Sequence, residues 1–452
     1  MRGQGILALG LALAVVAAGV LLDEVGRAEP DAPASPSARS SVWLCPHGGG
    51  EGWTGTVVLA NPGEQPLDAL ITTLGSGRPQ APVQVTVPAG RQLLHEVPAD
   101  TREAATLVEV FDGDLAAGWQ VQSEEPAGLG AEPCATAGAT SWWLADPGTP
   151  QGDDAYLVVM NPFAVDAVID VALFTADRAP IRDAEWTDLA IGARRSVALR
   201  VDRKAEGEEA VTAMVDAKVG RVAAASLVVG RDGGIRSTLG VAELAASWSL
   251  PTASGTGRAT LLLGSPADDD VAFGASLLSR RIPQVAGGLS DAEQAGASSR
   301  AYPITTIGPS SVEVEVRAEG LVAAALRVEG PGSDDGATAG AAAAAAWVVL
   351  PTVVGSPAFP SLVLVNPGAR DAEVTLRFLP AGDGGVPDPV TVAVPAATAV
   401  NAPAAFLELA PAASVLVTAE GGQVVAIGAS TSRGVLGLSR YALVMGTPLA
   451  AP

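Results

Sequence analysis

A chain of 452 residues with 27 Lys+Arg against 49 Asp+Glu carries a formal net charge of −22, and this acid excess excludes the basic face that nucleic acid requires. Apolar residues make up 48% and aromatics only 4%, enough for cores built mainly from Val, Leu and Ile. The acids are spread along the chain, which reads as a self-repelling surface that keeps an exported protein soluble.

Residues 1–5 read as a cytoplasmic N-terminus. Residues 6–22, ILALGLALAVVAAGVLL, are uncharged and mostly apolar, with Arg2 before them and Asp23 and Glu24 after. That length lies between a signal-peptide core and a membrane-spanning helix, and the charge order places everything downstream outside the cytoplasm. The expectation is an uncleaved signal anchor forming one transmembrane helix, in a single-pass protein of the cell membrane. The alternative is secretion after cleavage near Gly26-Arg27-Ala28. Residues 23–41, rich in Pro, Ala and Ser, read as a stalk.

From residue 42 onward three landmarks recur in one order. The first is a Trp-bearing strand, at Trp43, Trp142, Trp248 and Trp347, spaced 99, 106 and 99 residues apart. The second is a run of alternating apolar residues ending in Asn-Pro: TVVLANPG, YLVVMNPF and LVLVNPG, with LLLGSPA as a degraded copy. Its turn residues are Asn61-Pro62, Asn161-Pro162, Ser265-Pro266 and Asn366-Pro367. Asn closes an Asx turn on its own backbone and Pro presets φ, so the motif predicts a strand running into a tight turn. The third is a Gly-led apolar strand, from Gly113, Gly220, Gly320 and Gly422.

Four tandem modules follow: 42–140, 141–246, 247–345 (divergent) and 346–452. Each has six to eight short β-branched segments punctuated by turns, which predicts an all-β chain of antiparallel modules, immunoglobulin-like sandwiches in the favoured reading. The alternative is a β-propeller with two blades per repeat, its ring closed by the strand at Val42. In module 3, the Gly/Ala/Ser-rich stretch 287–299 predicts a loose loop, and GPGSDDGATAGAAAAAA reads as a linker. Cys45 and Cys134 are the only cysteines, and outside the cytoplasm they read as one disulfide around module 1.

These units resemble those of extracytoplasmic bacterial proteins with tandem W-x-L-P, L-x-L-x-NP and A-x-V-x-L segments. The order of anchor, stalk and modules resembles an actinobacterial family of large secreted or membrane-anchored tandem β-repeat proteins of uncharacterised function. The resemblance spans 42–452 and implies no catalytic residues. Abundant Arg and Ala beside only two lysines, Lys204 and Lys218, fit a high-GC source.

No catalytic constellation emerges. There is no G-x-S-x-G, and only two histidines exist, His47 and His95, both in module 1. Both read as packing or surface residues. The acid clusters Asp153-Asp154, Asp268-Asp269-Asp270 and Asp334-Asp335 lack calcium-loop spacing and fall at different places in their modules. The sequence therefore names no catalytic residue, cofactor or metal site. Trp53, Trp119 and Trp186 lie outside the repeat, and an exposed trio there would favour glycan binding. The expected function is a non-enzymatic, membrane-tethered scaffold or interaction protein of the bacterial cell envelope, partnered by an envelope protein. The alternatives are a cell-wall or glycan-binding protein accessory to polysaccharide assembly and, behind it, a carboxylate-dependent enzyme.

Overall fold

The computed structural model describes residues 41–449, except 151, 178, 232, 254–257, 280–282, 306–308, 318–319, 331–334, 352–357 and 434–438. The anchor expected at 6–22 and the stalk up to residue 40 lie outside the described residues. Among those described, no helix is long and apolar enough to cross a membrane.

Repeat 1 supplies the pattern. Its strands are β1 (Ser41–Cys45), β2 (Thr54–Asn61), β3 (Leu67–Leu74), β4 (Val83–Val87), β5 (Arg91–Pro98), β6 (Ala105–Phe111), β7 (Ala116–Glu124) and β8 (Ala127–Pro133). They pair as β1-β6-β3-β4, here the Trp sheet, and as β5-β2-β7-β8, the Asn sheet. Every ladder is antiparallel. The two sheets share one core of Trp43, Val57, Leu59, Ile71, Val108 and Trp119. The other repeats give the same two sheets, so the described chain holds eight, none of them closed into a barrel.

Apart from the hairpins β3–β4 and β7–β8, consecutive strands switch between the two sheets, whereas propeller blades are meanders of consecutive strands. The Trp43 strand stays in its own repeat, pairing β6, and does not complete repeat 4. The sheets nevertheless succeed one another around a closed circle. Each Trp sheet packs one face on its own Asn sheet and the other on the Asn sheet of the next repeat. Trp143, Ala145 and Ala210 of repeat 2 meet Leu262, Ala323 and Ala325 of repeat 3. Closure uses the same pairing: Val348, Leu350 and Leu379 of repeat 4 pack on Val58, Ala60 and Ala116 of repeat 1.

This stacking explains the Asn-Pro strands. From Ala155 to Asn161 every residue is buried, so the apolar run is continuous rather than alternating. Leu157 and Val159 enter their own core, while Tyr156 and Val158 enter the cluster of repeat 1. A strand covered on both faces has no solvent side on which polar residues could alternate.

Four inner strands, β8, Ile235–Leu239, Asp335–Ala339 and Ser439–Met445, contact one another around the axis. The cavity there measures about 10 Å³ and is lined by Leu129, Ile235, Ala337 and Leu443 among others. A Cβ on Gly336 would stand 2.7 Å from the Leu443 Cγ, and one on Gly128 would stand 2.4 Å from the Gly233 carbonyl oxygen. Small residues are required where four backbones converge. Within the stretch expected as a linker, Asp335–Ala339 is thus an inner strand of the ring, low in complexity because its site is crowded. The loose loop expected at 287–299 is likewise ordered, with strands at Ala292–Gln294 and from Ser298.

Candidate functional site

The repeated landmarks are joined to one another. The indole N–H groups of Trp142, Trp248 and Trp347 donate to the Val222, Val322 and Val424 carbonyls at 2.6, 2.8 and 2.7 Å, tying the first landmark to the third. Trp43, in the same place, is buried, with no acceptor for its N–H among the described residues.

The Asn residues close more than their own turns. The Asn366 Oδ1 accepts from the Gly368 N–H at 3.0 Å, the Asx bond expected before Pro367. Its Nδ2 also donates to the Arg370 and Val394 carbonyls at 2.7 and 3.0 Å. Asn61, before Pro62, and Asn161, before Pro162, make the same three kinds of bond. In repeat 3 Ser265 precedes Pro266 and its buried hydroxyl has no hydrogen-bond partner among the described residues. There Gln294 stands in the register place of Val87, Ile191 and Val394, and its buried Nε2 donates to the Ala295 and Ser298 carbonyls. A longer amide on the facing strand accompanies the loss of Asn.

Cys45 and Cys134 form a disulfide with Cα atoms 4.5 Å apart. It fixes the end of β1 to the segment that follows β8.

His47 is buried in the loop after β1. Its Nδ1 lies 2.7 Å from the Gly48 carbonyl and its Nε2 lies 3.0 Å from the Thr106 hydroxyl. A carbonyl only accepts, so Nδ1 carries the proton and Nε2 accepts from Thr106. Burial pulls the imidazole pKa down to about 4. His95 lies on β5, opposite Val57 and half-buried. The two histidines occupy separate environments.

Two charged features escaped sequence reasoning. Asp146, two residues beyond its Trp strand as His47 is beyond β1, is fully buried. It accepts from the Arg236 Nε at 2.8 Å and the Arg327 Nε at 3.2 Å, bonding repeats 2 and 3. Glu132 on β8 is also buried, and its carboxyl accepts from the Leu239 N–H; burial pushes its pKa well above the carboxylate range. Sequence separations of 90 and 181 residues left no local signal for the Asp146 cluster. Among the described residues, no three His, Cys, Asp or Glu side chains gather to hold a metal ion. Trp119 and Trp186 are buried, and the half-buried Trp53 has the Arg102 guanidinium 4.8 Å above its ring. The three do not form an exposed platform.

Residues 96–405 match the family described as "Family of unknown function (DUF5719)". The chain belongs to this family. No curated protein matches it. Among solved structures, a weak similarity falls on one described as "Crystal structure of tetra-tandem repeat in extending region of large adhesion protein". It is 11% identical, covers 87% of this chain and 93% of that one, and has a TM-score of 0.09, too low to carry a fold assignment.

Proposed function

We propose that this DUF5719 protein is a non-enzymatic, membrane-tethered extracytoplasmic scaffold or interaction protein of the bacterial cell envelope. The observation that carries the reading is the closed ring, in which the residues the sequence repeats, the Trp and Asn-Pro landmarks, hold the architecture together. A protein partner would bind at the loops and outer edges, which the landmarks leave free to vary. Tethering is supported by the apolar segment 6–22 and export by the disulfide. The actinobacterial source is supported by the scarcity of Lys beside Arg and Ala. The immunoglobulin-like label is supported by paired antiparallel sheets with strands that switch sheet. Glycan binding is the weaker reading, because two of its three candidate Trp rings are buried.

Crosslinking in intact cells, followed by mass-spectrometric identification, tests the proposal. The expected result is a reproducible set of envelope proteins bonded to the ring. Retention on isolated wall polymer with no crosslinked protein would replace it with the glycan reading.

A further inference from the structure

The four repeats treat the outer mouth of the sandwich, between the outermost strands of the two sheets, in different ways. Repeat 2 breaks its outer edge into Ile181–Arg182 and Leu189–Ile191 around a 3₁₀ turn, Ala184–Trp186, and buries Trp186 in the core. Both lysines of the chain clamp this insert, Lys204 on Asp183 and Glu185, and Lys218 on Asp188 and Asp170. Repeat 3 places Tyr302 against Phe273, with ring centroids 5.2 Å apart and its hydroxyl on the Gln294 Oε1 at 3.1 Å. Repeat 4 inserts a short helix, Ala404–Leu407, whose Phe406 stacks on Phe378 at 4.1 Å. Each of these repeats therefore contributes an aromatic ring of its own to the core near the outer strands.

Repeat 1 has none. Between Trp53 and Trp119 its one aromatic is Phe111, exposed on the opposite face of its strand from the core residues Val108 and Val110. The register place of Tyr302, opposite the Asn-sheet strand, is held by His95. His95 is half-buried, as is Leu93 beside it. Across the mouth, Val83 pairs with the core residue Ile71, so it lies on the core face, yet it is 47% exposed.

The edge beside these partly exposed residues is unguarded. β4 pairs only with β3 among the described residues, so alternate backbone N–H and C=O groups of Val83–Val87 face outward. Sheet edges are ordinarily blunted by charge, proline or interruption. The sequence VQVTV has none of these inside it, and its prolines, Pro82 and Pro88, flank it. An unpaired ladder accepts another extended chain, and the side chains of an added strand alternate toward and away from the core. The occupant that matches both features is an extended polypeptide bearing an aromatic ring for the outer position where repeat 3 has Tyr302 and repeat 1 has His95. With a formal charge of −22 on the chain, a neutral or basic segment is favoured.

We propose that β4 of repeat 1 binds an extended, neutral-to-basic segment of a partner protein as an added strand, with one aromatic side chain of that segment seated over Val83, Val85, Leu93 and His95. The proposal rests on the interaction-protein reading and gives it a site and a class of ligand.

The test uses the full chain and a dye-labelled nonapeptide of alternating Thr and Val, with a central Trp and a Lys at each end. A second peptide carries Ser in place of Trp. Fluorescence anisotropy should show saturable binding of the Trp peptide, with the Ser peptide about tenfold weaker. Val83→Asp introduces a charge at the edge, and His95→Tyr supplies an internal ring as Tyr302 does. Each should weaken the Trp peptide by about tenfold without lowering the melting temperature. No saturable binding, or binding indifferent to both substitutions, overturns the β4 site. If the crosslinked partners persist in cells while peptide binding fails, the interaction reading stands and the site falls. If no partner crosslinks to the unaltered chain, the interaction reading falls, and the peptide result still decides the site.

Discussion

Gln92 and Ser414 are 322 residues apart in sequence and share two hydrogen bonds. The Gln92 Oε1 accepts from the Ser414 N–H at 2.7 Å and from its hydroxyl at 2.6 Å. The Gln92 backbone N–H donates to the Pro380 carbonyl. In the same way the Ser196 N–H donates to the Gly75 carbonyl and the Ser299 N–H to the Thr175 carbonyl, at junctions between consecutive repeats. The seam between the last repeat and the first is thus built like the junctions the chain makes in passing. Each interface is heterologous, and the rotation closes.

Gln92→Ala should weaken this seam. It leaves the Ala412 carbonyl and both Ser414 donors without their partner, at about 1–3 kcal/mol for each buried group left unsatisfied. Urea unfolding should show a lower midpoint, and hydrogen exchange should quicken first in β5 and around Ser414. An unchanged midpoint would mean that the seam contributes nothing to stability.

Asn366→Ala removes three hydrogen bonds, so its cost should exceed that of a simple cap, at about 2–4 kcal/mol. Pro367→Ala should cost less, acting through chain entropy. In repeat 3, Ser265→Asn alone should destabilise by crowding Gln294, and adding Gln294→Val should restore stability. A double variant no better than the single would show that the two positions are independent.

The pH dependence should have two opposed parts. His47 is depressed from 6.5 to about 4, so between those values the unfolded chain binds the extra proton and stability falls as pH falls. Fully developed, this corresponds to about 3 kcal/mol. Glu132 is raised, so above 4.5 the unfolded chain ionises first and stability declines as pH rises toward the folded value. His47→Gln should flatten the acid side of the profile and Glu132→Gln the alkaline side, in melting temperatures measured from pH 4 to 9. An acid limb that His47→Gln leaves unchanged would exclude the imidazole as its source.

Replacing Cys45 and Cys134 by Ala should lower stability by about 4–5 kcal/mol in the chain-entropy account, since the bond closes a long loop at a sequence separation of 89. Gly240, Gly340 and Gly446 hold the place of Cys134 after the inner strand, each with its Trp ring near where a Cβ would stand. Chemical denaturation with and without reductant measures the difference. Equal midpoints would show that packing alone holds β1.

The all-β class, the four repeats, the Asn-Pro turns and the disulfide pair were legible in the sequence because their causes are local or repeated. Asn and Pro fix dihedral angles where they stand, and landmarks that recur at regular spacing declare a unit. The ring was decided by tertiary structure. Nothing between Gln92 and Ser414, or between Asp146 and Arg327, marks them as neighbours, because their contact follows from how eight sheets stack. The same stacking buries Ala155–Asn161 on both faces and leaves β4 bare, and it turned an apparent linker into the inner strand Asp335–Ala339. Composition records that a residue is small or apolar; only the packed fold shows that it had to be, because another backbone passes within a few ångströms.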